Sequence, residues 1–251
     1  MSAGTDHELA ARLATEAGEL LLGVRRELAD ATDAERKDAG DQRAHVFLMA
    51  ALARERPDDA VLSEEATAEE RANSKRLGAE RVWIVDPLDG TREFGELGRD
   101  DWAVHVALWQ SGELVAGAVA LPAQGVTLAT PDVAAPPPAP PTPRIVVSRT
   151  RPPAVALAVR DALDGVLVEM GSAGAKVASV VQGVSDVYVH AGGQYEWDSA
   201  APVAVARAAG LHTSRIDGSP LRYNQADVYV PDLIVCRAEL ADAALAVTTR
   251  H

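Results

Sequence analysis

The chain has 251 residues, of which 47% are hydrophobic, and its formal net charge is −13. A chain of this size can bury a full core, as one large domain or as two closely joined subdomains. The negative charge argues against a basic nucleic-acid-binding face and against attachment to an anionic membrane. There is no run of about 18 apolar residues, so we expect a soluble, cytoplasmic protein. Cys236 is the only cysteine, which excludes an internal disulfide bond.

The start of the chain carries helix signals. Apolar residues at three- and four-residue steps predict a helix over 9–28. A second helix is predicted over 41–54 and should end before Pro57. Four apolar residues are predicted to form its inward face: Val46, Met49, Ala50 and Ala53.

Strand signals follow in the middle of the first half. The apolar pair 61–62 leads into Ser63-Glu64-Glu65, and a charged loop extends from there to Glu80. The apolar run 82–85 indicates a buried strand, which Asp86-Pro87 should stop. The runs 103–109 and 114–121 flank a turn at 110–113 and predict a hairpin.

A proline-rich segment at 131–143 divides the chain. It cannot continue a helix or a central strand, so we predict a loop between two subdomains, 1–130 and 144–251. The second half alternates strands and helices, which is typical of an α/β layer structure. The predicted strands are 145–147, 165–170, 185–189 and 233–236, and the predicted helices are 154–163, 173–182 and 200–209.

The clearest chemical signal is the sequence DPLDGT at 86–91, directly after a predicted strand. A carboxylate at a strand end lies at the sheet edge, where α/β proteins usually bind ligands. Because Pro87 fixes the turn and has no N–H, Asp86 and Asp89 can converge on one point. The carbonyl of Leu88 is then free as a further oxygen ligand. Hard cations such as Mg²⁺ prefer oxygen ligands of this kind.

The same segment also predicts an anion site. Gly90 and Thr91 would begin a helix, and the N–H groups at a helix start bind phosphate oxygens without a basic side chain. Bound divalent cations reverse the field of an acidic site, so an acidic chain can bind phosphate if metal is present. A bare D-P-x-D-G is also common as a simple turn. The metal prediction therefore depends on further carboxylates near strand or helix ends: Asp41, Glu64, Glu65 and Asp198.

Three ordered stretches resemble the signatures of the inositol monophosphatase superfamily: SEE at 63–65, WIVDPLDGT at 83–91 and WDSAA at 197–201. Their order and spacing fit, and the similarity covers nearly the whole chain. The resemblance implies a mixed α/β (α+β) fold, a layered α-β-α-β-α sandwich of the inositol monophosphatase and fructose-1,6-bisphosphatase type. It also implies a phosphatase that uses two or three Mg²⁺ ions. Most of the metal site would lie in 1–130, and the last ligand and much of the substrate site in 144–251.

The resemblance assigns roles position by position. Asp41 matches an aspartate that positions water or a third metal ion, and Glu65 and Thr91 match groups around the nucleophilic water. Phosphate would contact Gly90, Thr91 and Arg92. One departure is the segment KDAGD at 37–41, which is compressed and lacks the family's threonine, and which suggests a shortened or reshaped flap. The implied metal ligands are Glu64, Asp86, the carbonyl of Leu88, Asp89 and Asp198.

Within the superfamily the chain most resembles the CysQ-type branch, in its actinobacterial form. That branch hydrolyses the 3′-phosphate of 3′-phosphoadenosine 5′-phosphate, which gives AMP, and of related sulfur-assimilation nucleotides such as 3′-phosphoadenosine 5′-phosphosulfate, which gives adenosine 5′-phosphosulfate. The stretches VSR at 147–149, GSAGAK at 171–176 and GSPLRYN at 218–224 carry this likeness. Arg149, in the first of these stretches, can pair with a second phosphate. Tyr223, in the last, could stack on a base or pack in the core. The implied substrate contacts are Ser148, Arg149, Ser172, Lys176 and Tyr223.

Two alternatives stay open. The same site could act on an inositol monophosphate or on fructose 1,6-bisphosphate. The fold could also serve a non-catalytic metal- or nucleotide-binding protein, although such a protein would have little need of both Glu65 and Thr91 at the water. The six histidines show no metal-ligand spacing and are predicted to be structural or exposed. By resemblance, a homodimer and inhibition by lithium are further expectations.

Overall fold

Strands within the described residues, 4–71 and 74–250 of this computed structural model, form two five-stranded sheets. The first sheet contains, in spatial order, β1 (Ala60–Ser63), β2 (Arg81–Asp89), β3 (Ala103–Gln110), β4 (Glu113–Leu121) and β5 (Val126–Ala129). The second contains β7 (Val166–Met170), β6 (Arg144–Ser148), β8 (Val187–Tyr195), β10 (Tyr229–Cys236) and β9 (His212–Ser214). β1 pairs parallel with β2, and β6 pairs parallel with both β7 and β8.

Helices cover both sheets and fill the space between them. α1 (Asp6–Glu27) and α2 (Asp33–Glu55) pack on the outer face of the first sheet. α7 (Ala173–Val181) and α8 (Glu196–Ala208) lie between the sheets, and α6 (Ala154–Ala162) and α9 (Ala241–Thr248) cover the outer face of the second. Short helices complete the chain: α3 (Ala68–Arg71), α4 (Ser74–Leu77) and α5 (Thr91–Gly95). This arrangement confirms the predicted α-β-α-β-α sandwich.

The second helix begins eight residues earlier than predicted, and of its predicted inward face only Met49 packs against the core. Thr32 and Glu35 form a capping box that begins α2 at Asp33, so 37–41 lies inside a helix and not in a reshaped flap. Val46 is 59% exposed, and Ala50 and Ala53 are exposed too. Apolar residues occur on two sides of this helix, and packing against α1 and β2 decides which side is buried. The buried side consists of Ala44, Leu48, Ala51 and Leu52.

Two predicted boundaries near the functional motifs also differ. β2 continues past Pro87 to Asp89, because its pairing with β3 shifts register between Asp86 and Asp89 and needs no N–H from the proline. α8 begins at Glu196, so 197–198 lies in its first turn and not before it. The short elements β5, β9 and α9 were not predicted, and neither were the short helices α3 and α4, which lie in the stretch predicted as a charged loop.

Residues 131–143 contain neither helix nor strand, in agreement with the predicted loop. The division of the chain into subdomains at this segment stays a prediction. Cys236 is buried at the end of β10, as its apolar setting predicts. Across the described part of the chain, no helix combines the length and the apolar character that a membrane span requires.

Candidate metal centre and active site

A cluster of carboxylates lies where the end of β2 meets the start of α8. Asp86 and Asp89 come from β2, and Asp198 comes from the first turn of α8. One oxygen atom from each of the three carboxylates lies within 4.8 Å of the others. Segments far apart in the chain therefore bring three of the predicted metal ligands to one point.

Glu64 reaches the same cluster through strand pairing. Ser63 pairs with Val85 in the parallel register of β1 and β2, so the residues that follow, Glu64 and Asp86, are neighbours. The backbone N–H of Glu64 donates to the Val85 carbonyl, and its carboxyl group contacts that of Asp86. Burial raises the pKa of Glu64, and the charges of Asp89 and Glu65 raise it further.

The environment of Asp86 fits a cation. Burial, and then the charges of Glu64, Asp89 and Asp198, raise the pKa of Asp86 well above its usual range. Its Oδ2 is buried and meets no N–H or O–H donor of the described residues. Burial of a carboxylate oxygen that accepts no hydrogen bond destabilises the fold unless a positive charge compensates it. Since the surrounding ligands are oxygens, the site suits a hard cation such as Mg²⁺.

Asp89 is held by the first turn of α7. Its Oδ2 accepts hydrogen bonds from the Ser172 hydroxyl and the Gly174 N–H, and its Oδ1 accepts one from the Ala173 N–H at 3.1 Å. Burial alone would raise the pKa of Asp89, but His105 and these donors outweigh it and lower the pKa to about 2. Asp89 is therefore oriented before any metal binds. Ser172 contacts this carboxylate, which is a different role from the predicted substrate contact.

His105 is the residue at this site that sequence reasoning missed. It lies on β3 opposite Asp86, fully buried, with Nε2 at 3.3 Å from Asp89 Oδ2 and Nδ1 at 3.0 Å from the Trp197 carbonyl. Burial acts to lower the pKa of His105, but Asp89 and the Trp197 carbonyl together raise it. A histidine inside the apolar run AVHVALW was the available signal, since a buried polar residue needs partners.

The predicted catalytic residues lie beside the carboxylates. The Thr91 hydroxyl donates to the Leu88 carbonyl at 3.2 Å and lies 3.5 Å from Asp41 Oδ1. Burial, followed by the charges of Glu65 and Glu64, raises the pKa of Asp41 to about 7. The structure therefore brings these groups together, and their roles in catalysis stay predictions.

The predicted phosphate-binding turn begins a helix as expected. Gly90 has φ of 84°, in the left-handed region that favours glycine, and it precedes α5, whose first residue is Thr91. A Cβ at Gly90 would also come within 2.9 Å of the Ser172 Cβ. Arg92 is exposed on this helix. Of the three predicted phosphate contacts, the backbone N–H groups of Gly90 and Thr91 are therefore better candidates than the Arg92 side chain.

A cavity of about 470 Å³ adjoins the centre on the side of the second sheet. Two predicted substrate contacts, Ser148 and Lys176, line it together with Arg151 and His190, which the sequence did not suggest. The Lys176 ammonium donates to the Gly171 and Ser172 carbonyls at 2.8 and 2.7 Å, and the Ser172 hydroxyl in turn binds Asp89, so Lys176 connects the cavity lining to the carboxylate cluster. Burial lowers the pKa of Lys176, whereas Asp89 acts to raise it.

Two other predicted substrate contacts point elsewhere. Arg149 pairs with Glu93 of α5 at 2.8 Å and with Glu96, just after this helix, at 2.6 Å. Tyr223 is 3% exposed in the apolar core, and its hydroxyl donates to Ser199. The packing role is therefore the one that the structure supports for Tyr223. Partners distant in sequence take up both side chains, and their contacts with substrate stay predictions.

Comparison with known proteins agrees with this geometry. A 3′-phosphoadenosine 5′-phosphate phosphatase of Mycobacterium bovis is 54% identical over 239 residues, which cover 92% of this chain and 88% of the relative. The 3′(2′),5′-bisphosphate nucleotidase CysQ of Escherichia coli K12 is 32% identical over 76% of this chain and 81% of its own length. Staphylococcal IMPase-II superposes with a TM-score of 0.76 at 19% identity, over 97% of this chain and 94% of that one. The Inositol monophosphatase family matches residues 5–133 and 146–250, and the chain belongs to that family.

Proposed function

We propose that this protein hydrolyses the 3′-phosphate of 3′-phosphoadenosine 5′-phosphate and releases AMP and inorganic phosphate. The observation that carries the proposal is the hydrogen-bonded connection from Asp89 through Ser172 to Lys176, which lines a cavity together with Arg151. A substrate with two phosphates can place one at the carboxylate cluster and one in this cavity. The names of the mycobacterial and E. coli relatives support the same substrate.

Two or three Mg²⁺ ions are the proposed cofactor. Glu64, Asp86, Asp89, Asp198 and the carbonyl of Leu88 would hold them, in agreement with the oxygen ligands and the donor-free Asp86 Oδ2. When bound, such ions supply a nucleophile from water and stabilise charge on the attacking and leaving oxygens.

The chain's own residues prepare the attack. Thr91, held by the Leu88 carbonyl, orients the water, and Asp41, whose Oδ1 lies 3.5 Å from the Thr91 hydroxyl, accepts a hydrogen bond from this water. Glu65 lies next to Glu64 and adds a second acceptor for this water. The N–H groups of Gly90 and Thr91 orient the transferred phosphoryl group.

The cavity would bind the rest of the nucleotide. Lys176 and Arg151 offer positive charge to the 5′-phosphate, and Ser148 offers a hydroxyl. Burial lowers the pKa of His190 to about 4, so its ring is neutral near pH 7 and can form hydrogen bonds without adding charge. A cytoplasmic location and a homodimer stay predictions from the sequence.

The test compares phosphate release from 3′-phosphoadenosine 5′-phosphate, inositol 1-phosphate and fructose 1,6-bisphosphate, each with Mg²⁺ and with chelator. We expect Mg²⁺-dependent turnover with a large preference for the nucleotide. Equal or faster turnover of an inositol or sugar phosphate would refute the nucleotide assignment. Nucleotide binding without any turnover would favour the non-catalytic alternative.

Variants test the carboxylate cluster and the cavity separately. Asp89→Asn should abolish turnover of all three substrates, because it removes a charge from the carboxylate cluster. Arg151→Met should raise KM for the bisphosphorylated nucleotide and leave KM for inositol 1-phosphate unchanged. Arg160→Met is the matched control, since Arg160 lies on the surface of α6 beside Asp161.

A further inference from the structure

The turn that carries Glu64 and Glu65 lies between β1 and α3 and belongs to neither element. It must hold the Glu64 carboxylate against Asp86, although both groups are acidic. A turn in this position needs a tether outside the carboxylate cluster.

Arg71 makes contacts of that kind. Its Nη2 donates to the Glu64 carbonyl at 2.6 Å, and its Nε donates to the Ala66 carbonyl at 2.9 Å. The guanidinium carbon also lies 4.9 Å from the ring centroid of Trp197, in cation–π contact. One side chain therefore joins the backbone of the Glu64 turn to the residue that precedes Asp198.

Trp197 is a firm anchor for this contact. Its side chain is 2% exposed and stacks on Tyr195, with ring centroids 4.9 Å apart and an interplanar angle of 14°. Its carbonyl is hydrogen-bonded to His105. A displacement of the Glu64 turn would therefore break the contacts of Arg71 and leave Trp197 in place.

Arg76 fixes the backbone from which Arg71 extends. Its Nε and Nη2 donate to the Arg71 carbonyl at 3.2 and 2.9 Å, and its Nη1 donates to Asn224 Oδ1 at 2.6 Å. The Glu196 carboxylate accepts the N–H of Asn224 at 2.7 Å. The backbone at Arg71 is thus connected to the start of α8 by a second route.

We propose that Arg71 is a positioning residue of the metal centre: it holds the Glu64 turn against Trp197 so that Glu64 and Asp198 face the same ions. The inference rests on the proposed metal centre, and it does not depend on which phosphorylated substrate is hydrolysed. Arginine suits this role because its planar guanidinium group can donate to two carbonyls and contact an aromatic face at the same time, whereas lysine provides charge without that geometry.

The experiment compares Arg71→Met, which keeps the side-chain length, with Arg71→Lys, which keeps the charge. Arg54→Met is the control, since Arg54 is an exposed arginine beside Glu55. The full-length proteins are titrated with Mg²⁺ alone by calorimetry, and their thermal midpoints are measured in chelator. The Mg²⁺ concentration at half-maximal rate and kcat at saturating Mg²⁺ are measured separately.

In Arg71→Met, we expect the Kd for Mg²⁺ and the half-saturating Mg²⁺ concentration to rise about 10- to 100-fold, the usual cost of losing a residue that orients a ligand. The metal-free thermal midpoint and kcat at saturating Mg²⁺ should stay near those of the wild type. Arg71→Lys should recover part of the affinity, and Arg54→Met should match the wild type.

Unchanged Mg²⁺ affinity in Arg71→Met would overturn the proposal, and so would a lower kcat at saturating Mg²⁺ with normal affinity. If Arg71→Met does not fold, the titration of Arg71→Lys decides. Wild-type Mg²⁺ affinity in that variant would show that the guanidinium group is not needed. A wild-type protein that binds no Mg²⁺ would overturn the metal centre itself, and this inference with it.

Discussion

Replacement of Asp198 by asparagine should stabilise the metal-free protein at alkaline pH and abolish its stabilisation by Mg²⁺. Burial, and then the charge of Asp89, raise the pKa of Asp198 from 3.8 to about 7. The unfolded chain releases this proton near its ordinary pKa, whereas the folded chain keeps it until about pH 7. The free energy of unfolding of the metal-free protein therefore falls as pH rises from about 4 to 7.

The size of the effect follows from the shift. A change from 3.8 to about 7 corresponds to roughly 4 kcal/mol at pH values above 7. Because this pKa shift depends on Asp89 and Glu64 as well, we expect Asp198→Asn to raise the free energy of unfolding by about 2 to 4 kcal/mol. Asparagine keeps the acceptor for the Tyr195 N–H at 2.6 Å, so the start of α8 is preserved. For a chain of this size, the thermal midpoint at pH 8 should rise by about 5 to 10 °C.

The assay is a set of thermal melts at pH 4 to pH 8, in chelator and in Mg²⁺. The gain of Asp198→Asn should appear at pH 8 in chelator and vanish near pH 4. Mg²⁺ should raise the midpoint of the wild type at pH 8 and leave that of the variant unchanged. Asp161→Asn, which alters an exposed carboxylate on α6, is the control. A midpoint of Asp198→Asn at or below the wild type, at pH 8 in chelator, would refute the reasoning.

Three further outcomes are expected. Burial raises the pKa of Glu196 to about 7 although two backbone N–H groups oppose it, so the wild type should lose stability as pH rises from about 4.5 to 7. Glu196→Gln should flatten this dependence in urea titrations, and an unchanged slope would contradict the assignment. Gly174→Ala should lower kcat/KM at least about tenfold, because a Cβ there overlaps His105 and presses on Asp89. Gly23→Ala, at a helical site with open space, should keep full activity, and equal rates for the two variants would count against this reasoning. Lithium should slow phosphate release at limiting Mg²⁺, and excess Mg²⁺ should restore the rate. Full activity in lithium would rule out replacement of one Mg²⁺ ion by Li⁺.

The carboxylate cluster was accessible to sequence reasoning because its parts are local. Asp86 and Asp89 lie three positions apart on β2, and Glu64 follows directly on the strand that pairs with it. Asp198 needed the resemblance to a known family, since nothing near it in the chain indicates its partners. Apolar runs and a turn predicted the hairpin of β3 and β4, whereas the layered fold was implied by the resemblance to a known family.

The substrate side shows where local patterns stop being informative. Arg149 and Lys176 are both basic residues in family-like stretches, yet one pairs with Glu93 of α5 and the other lines the cavity. His105 gave one weak signal in its strand, and Arg151 and His190 gave none that separated them from surface residues. Each outcome depends on which distant side chain lies within hydrogen-bonding reach.

The sequence by itself determined the alternation of strands and helices, and its motifs identified the family, with its layered α-β-α-β-α fold, and the carboxylates that cluster at the end of β2, because motifs and periodicity depend on neighbours along the chain. Only the tertiary structure decided the buried face of α2, the contact of His105 with Asp89, the pairing of Arg149 with Glu93 and the tether from Arg71 to Trp197. These features depend on packing between segments distant in sequence, where burial and charge select one partner among several that the sequence permits.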